Sequence, residues 1–441
     1  MMTKWRLETI YLTILLIIFG GVVLHAPFSV WLGSLLPAHE LLIKSWKEIL
    51  LVVAAGIAAL LVSKHKLWKE LSHDLLLRLI LLYSALHILL IPVSFDNVTS
   101  LIAGFAIDLR YLLFFVLVYV AVKVMPEWRE RFIQIGLIGA YIVVGFATLQ
   151  LFLPPDFLSI IGYGRDTIQP YLTVDKNHDY IRINSTLRGP NPLGAYAGIV
   201  LAFLTAAVVR GYVNIRQRRV YWLAVTLGSF SLLALWNSYS RSSLVAAIVA
   251  VGVVLAFTIL RKLSRRAWIV TAVIIFALGG ALVAARGSEF VSNVLLHENP
   301  DGGSSISSND DHVSSLATGF ERLVNQPLGA GVGSTGSASL YGSEPIIIEN
   351  QYLFIAHESG WLGLVLFAAI FGFVLVRLWQ RRQDWLALGA LASGVGLALI
   401  GLLLPVWADD TVSIVWWGIA AVALSGGGYE KKTKQKAKRT A

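Results

Sequence analysis

Stretches of about twenty apolar residues recur along the whole of this chain, and no other feature constrains its fold as strongly. A helix rising 1.5 Å per residue needs about that length to cross a hydrocarbon core of ~30 Å. Twelve such spans are predicted, near 9–27, 43–62, 75–93, 101–122, 132–153, 190–209, 220–237, 242–260, 267–285, 350–376, 385–404 and 411–425. The first follows Lys4 and Arg6. It is too long for a signal-peptide core and lacks a small-x-small cleavage site, so it counts as a helix. Of 441 residues, 56% are hydrophobic and only 14% charged, too few charges to cover a soluble protein of this size. The expected fold is an all-α polytopic membrane protein, one membrane domain over 1–441. With no cysteine in the chain, disulfides, thiolate metal ligands and thiol nucleophiles are excluded.

The net charge of +10 would suit nucleic acid in a soluble protein. In a membrane protein Lys and Arg first mark the cytoplasmic side. With the N-terminus inside, the predicted cytoplasmic segments (1–8, 63–74 with Arg78, 123–131, 210–219, 261–266, 377–384 and 426–441) hold 26 of the 36 Lys and Arg. Both termini are then cytoplasmic. The tail at 426–441 carries the basic run 431-KKTKQKAKR-439, which reads as a topology anchor against anionic lipid.

Two long segments fall outside. Residues 154–189 form a loop rich in Asp, Asn, Tyr and Arg. The larger loop, 286–349 between the ninth and tenth helices, opens with the polar run 299-NPDGGSSISSNDDH-312. It continues through 313-VSSLATGFERLV-324, apolar at helical spacing, to the glycine-rich 327-PLGAGVGSTGS-337. Glycines 329, 331, 333 and 336 resemble a phosphate cradle only loosely, without Walker or Rossmann spacing.

The candidate chemistry gathers on that outer face. Arg188 lies in 187-LRGPNPLGAYAG-198, where a helix is expected to start with Asn191 as N-cap and Pro192 in the first turn. An arginine there can grip a phosphate bidentately while the helix N-terminus adds its positive end; the alternative is an interfacial arginine reaching for water. Arg241 sits in 237-NSYSRSSLVAA-247, a tight turn between two apolar helices. Two cations on one face suit a diphosphate. Glu349 opens 349-ENQYLFIAHESGWLGL-364, with Asn350, Leu353 and His357 following at helical spacing. A carboxylate at the membrane edge can act as a general base or serve only to compensate a helix dipole. His357 is a proton acceptor or a buried hydrogen-bonded histidine. His312 and Arg322 are the further basic candidates in the large loop. Asp108 and Arg110 interrupt an apolar span and read as an internal ion pair, and Asp409 with Asp410 as a solvated turn.

Three blocks, LRGPNPLGAYAG, NSYSRSS and the loop end NQPLGAGVGS followed by ENQYL and ESGWLGL, occur in an order that resembles the O-antigen ligase/polymerase (Wzy–WaaL) superfamily of envelope polysaccharide enzymes. The likeness is strongest from about 180 to 365. It implies an outer-face, metal-independent glycosyltransferase in the bacterial cytoplasmic membrane, with no cofactor. The substrate would be an undecaprenyl-diphosphate-linked glycan, and a flippase and a chain-length regulator further partners; nucleic acid is not among them. On that resemblance Arg188 and Arg241 clamp the diphosphate and stabilise its departure, and Glu349 accepts the proton of the acceptor hydroxyl. Asn191, His312, Arg322, Asn350 and His357 line the substrate. His312 stands roughly where ligases carry a third arginine, with Arg322 nearer the proline. Ligases carry a histidine where this chain has Glu349, which brings it closer to the polymerase-like members. An O-antigen ligase or other lipid-linked glycan transferase is the alternative within the enzymes. A small-solute transporter is the alternative outside them.

Overall fold

The computed structural model describes residues 7–93, 97–174, 177–259, 308–343 and 345–425, with the backbone alone for 308–313. The predicted span at 267–285, the first part of the 286–349 loop and the basic tail lie outside the described residues.

The chain is an all-α polytopic membrane protein. Nine of its described helical stretches are long and apolar enough to cross a membrane, and two shorter apolar helices accompany them. In order these are α1 (Leu7–Gly21), continued through a 3-10 turn into α2 (His25–Leu35), then α3 (Trp46–Lys64), α4 (Leu75–Leu89), α5 (Val98–Val124) and α6 (Trp128–Gln150). The 154–189 segment contributes a two-stranded antiparallel ribbon, β1 (Leu172–Val174) and β2 (Asn177–Arg182), with Leu172 opposite Arg182. There follow α7 (Pro190–Val209), α8 (Arg218–Asn237), α9 (Arg241–Thr258), then α10 (Ser308–Asn325), which is not one of the eleven, and α11 (Gln351–Gln380), α12 (Trp385–Ile400) and α13 (Asp410–Ser425). Eleven of the twelve predicted spans are thus met by helices, within a few residues at each end except that the first stretch runs on to Leu35.

Short polar residues start several of these helices by accepting from the first free amides. Asn97 accepts from Thr99 and Ser100 N–H at 2.8 and 3.1 Å, and Asp74 from Leu76 N–H at 2.9 Å. Asp384 does the same for α12 and Asn350 for α11. The expected cap at Asn191 is not used. The helix begins two residues earlier, with Gly189 at the cap and Pro190 in the first turn. The reason is that Asn191 Oδ1 is taken by Arg182.

Small residues let the central helices approach closely, as packing without a hydrophobic drive between helices requires. A Cβ on Gly396 of α12 would come within 2.8 Å of the Ala246 carbonyl oxygen of α9. Aromatic rings fill the opposite side. Trp416 and Trp417 of α13 lie 5.1 Å apart, Tyr111 of α5 is 5.5 Å from Trp417, and Trp407 is 5.5 Å from Phe371.

The predicted span at 350–376 is not one straight helix. Gly360 has φ +68° and ψ −170°, which breaks α11 into two pieces. Only glycine adopts that conformation without strain. The amides and carbonyls released at the break are taken by the glycine-rich segment. Ala330 N–H donates to His357 O at 2.6 Å, Gly331 N–H to Glu358 O at 3.1 Å, and Trp361 N–H to Pro327 O at 3.0 Å. Non-helical backbone at membrane depth persists only where protein satisfies it in this way.

Candidate functional site

Two of the blocks singled out in the sequence meet in space. Arg182, at the end of β2, donates from Nη2 to Asn191 Oδ1 at 2.7 Å and from Nε to Ser238 O at 3.0 Å. Ile183 N–H reaches Asn237 O at 3.2 Å. Ser243 Oγ lies 3.5 Å from Asn191 O, and Ser240 Oγ donates to Ser243 Oγ at 2.9 Å. A Cβ on Gly194 would sit 2.7 Å from Ser238 Oγ, so that glycine is what lets the turn lie against α7. The N-termini of α7 and α9 therefore begin side by side. Arg188 is exposed just before α7, and Arg241 is the half-buried first residue of α9. Both helix dipoles add positive potential there.

The loop from α12 to α13, residues 401–409, joins these helix starts to the Glu349 segment. α12 and α13 have 16 residues each, ~24 Å of helix. Gln351 N–H donates to Gly401 O at 2.8 Å, Asn350 Nδ2 to Leu402 O at 2.7 Å, and Trp407 N–H to Gln351 Oε1 at 2.7 Å. Glu349 precedes this clamp, half-buried, and its own N–H reaches Ser315 Oγ of α10 at 3.2 Å. At the far end of the loop Asp409 caps α13 through Val412 N–H at 2.9 Å. Burial pushes the Asp409 carboxyl above its usual range, and the nearby Arg188 cation opposes that rise. Ser243 of α9 and Ile400 of α12, one residue before the loop, line one small crevice. The segments bearing Arg188, Arg241 and Glu349 thus converge around one short loop.

The remaining candidates divide. Asn350 is buried, with its amide oxygen receiving Tyr352 and Leu353 N–H and its nitrogen bonded to Leu402 O; its side chain holds the start of α11. His357 is 1% exposed, and Arg322 of α10 is close enough to act on it electrostatically. His312 falls in α10, where the backbone alone is described. The four loop glycines have left-handed φ, and the amides of Ala330 and Gly331 are used on the carbonyls of α11. The segment is therefore a plug for the broken helix, which accounts for its glycines without a phosphate.

The expected Asp108–Arg110 pair does not form. Residues two apart on a helix point about 200° away from each other. Arg110 turns to Asp410 and donates to Ala408 O at 2.6 Å. Asp410, expected in a solvated turn, is 5% exposed and also meets Lys47 at 2.8 Å and His25 at 3.0 Å, with Glu48 3.7 Å from Arg110. Asp108 lies 3.3 Å from His87 Nε2, and the buried Glu358 carboxyl is close enough to act on it electrostatically. Glu358 Oε1 accepts from Thr335 N–H at 3.2 Å. Sequence reading missed both clusters and Arg182. The available signal was charge at unfavourable depth: Lys47, Asp108, Arg110, Glu358 and Asp410 all sit inside or at the edge of apolar spans.

No protein-family model matches the chain, and no curated protein matches it.

Proposed function

We propose that this chain is a membrane glycosyltransferase that polymerises undecaprenyl-diphosphate-linked oligosaccharide repeat units on the outer side of a bacterial cytoplasmic membrane. One observation carries the reading: the segments of Arg188, Arg241 and Glu349, far apart in sequence, surround the 401–409 loop where two helix N-termini also begin. An acceptor sugar hydroxyl attacks the anomeric carbon of the donor. The carbon–oxygen bond to diphosphate breaks, and the hydroxyl proton passes to Glu349. Arg188, Arg241 and the amide ends of α7 and α9 stabilise the charge gathering on the departing diphosphate. Arg182 acts at one remove, by fixing Asn191 and Ser238. Both chain termini face the cytoplasm in this reading, and a flippase and a chain-length regulator work beside the enzyme.

Arg241→Ala and Glu349→Gln are each expected to abolish polymer while the protein still inserts, as read by polysaccharide gels alongside membrane fractionation. Wild-type polymer length in both variants overturns the assignment. A small-solute transporter is the second reading, favoured by the helix break at Gly360 beside the buried Asp108, His87 and Glu358. Proteoliposomes that accumulate solute without transferring glycan would select it.

A further inference from the structure

At the far end of α7 from Arg188 the bundle opens a groove of about 160 Å³, walled by α6 and α7 and floored by α13. Gly136 and Ala140, Phe203 and Ala207, and Ile419 and Val422 line it, and the lining is apolar nearly throughout. Val422 on its floor is buried. From the level of Tyr196 to that of Ala207 it runs ~16 Å along α7, about half the thickness of a hydrocarbon core. Its mouth is framed by Tyr212 and Trp385, stacked with ring centroids 4.3 Å apart, the ring pair expected at a membrane–water boundary.

The mouth is strongly basic. Segments 127–131, 210–219 and 381–384 contain eight arginines and three acids. Of those acids, Asp384 is engaged by Arg129 at 2.6 Å, and Glu130 accepts from Tyr212 OH at 3.2 Å. Arg210 donates to Gln383 Oε1 at 2.9 Å and to the Arg382 carbonyl at 2.8 Å, while the Arg382 guanidinium lies 4.7 Å over the Trp379 ring and donates to Trp379 O at 2.9 Å. Burial and the Arg382 charge both lower the Arg210 pKa, so the two cations repel each other at the open end of an apolar channel.

We propose that this groove is a binding site for an anionic phospholipid, one acyl chain lying between α6 and α7 and the phosphate bridging Arg210 and Arg382. The phosphate offsets the repulsion between the two guanidiniums, and the chain covers the apolar lining of the cleft. The phosphate end of the site is separate from the proposed sugar transfer, since Arg210 lies about one helix length, ~30 Å, from Arg188.

The full chain in mild detergent, given an equimolar mixture of phosphatidylglycerol and phosphatidylcholine with identical acyl chains, tests this by native mass spectrometry. The wild type should retain phosphatidylglycerol with a preference on the order of tenfold, as expected for two cations at a membrane surface. Arg210→Gln with Arg382→Gln should abolish the preference, and the matching double lysine variant should keep it. Leu137→Trp, a half-exposed position on the groove, should remove one bound lipid of either kind at unchanged Tm. An unchanged preference in the double glutamine variant overturns the proposal, as does an unchanged lipid count in Leu137→Trp. So would stronger retention of a polyprenyl phosphate at equal concentration, or cross-linking of residues 260–307 into the groove.

Discussion

Single residues in this bundle are decisive when they carry charge into apolar surroundings. Asp74 shows how the protein manages one. Its carboxylate caps α4, receives Tyr119 OH at 3.1 Å, and is held in a fork by Arg377 at 2.8 and 2.9 Å. Burial alone would raise this carboxyl, but the hydrogen bonds and charge of Arg377 more than offset it and hold the group below the usual carboxylate range. A depressed acid stabilises the fold above its unfolded pKa, and that contribution is lost as pH falls through the lower folded value. Asp74→Asn should therefore lower stability at pH 7 by roughly 1.5–3 kcal/mol, the range for hydrogen bonds to a charged group. It should also flatten the loss of Tm as pH falls below about 4, the ordinary range of an aspartate. Thermal melts in detergent across that range check both. Asp108 and Arg110 make the complementary point. Their closeness in sequence suggested a pair, but helical geometry sends one to His87 and Glu358 and the other to Asp410.

At the scale of elements, the helix with a break and the loop that fills it form one unit. The amphipathic pattern of 313–324 was readable, and a helix covers it at Ser308–Asn325. The interruption at Gly360 was not, because hydropathy carries no information about φ, and a glycine in an apolar run reads equally well as a close-packing residue. The docking also depends on Gly333, at φ +82°, where a Cβ would lie 2.3 Å from the Ser100 carbonyl oxygen. Ser100 Oγ in turn donates to Gly333 O at 2.7 Å and to Ala338 O at 3.0 Å. Gly333→Ala should release the plug at a cost of about 1–3 kcal/mol, seen as faster limited proteolysis within 327–337 and a lower Tm. Proteolysis at the wild-type rate would mean the loop is not held by these contacts.

For the whole molecule, sidedness has a direct test, because the chain contains no cysteine and any introduced thiol is unique. In intact cells Ser242→Cys, beside Arg241, should react with an impermeant maleimide. Asn214→Cys, in the Arg-rich segment after α7, should react only after the membrane is opened. The reverse pattern would place the candidate site in the cytosol and remove the basis for an outer-face transferase. The proposed lipid site would then face the opposite leaflet, with its chemistry unchanged.

Apolar runs, helix caps and charge asymmetry are local properties, so the sequence by itself determined that this is a helical membrane protein, and nearly where each described helix lies. It also marked Arg188, Arg241 and Glu349, through charge placed beside apolar helices. Only the tertiary structure decided that their segments meet around 401–409, that α11 is broken and plugged, and that Asp108 and Asp410 belong to separate buried clusters. Those outcomes rest on backbone torsions, helix phase and contacts between residues hundreds of positions apart. A bilayer selects for apolar length alone, and length does not say which helices touch or which way a charged side chain turns.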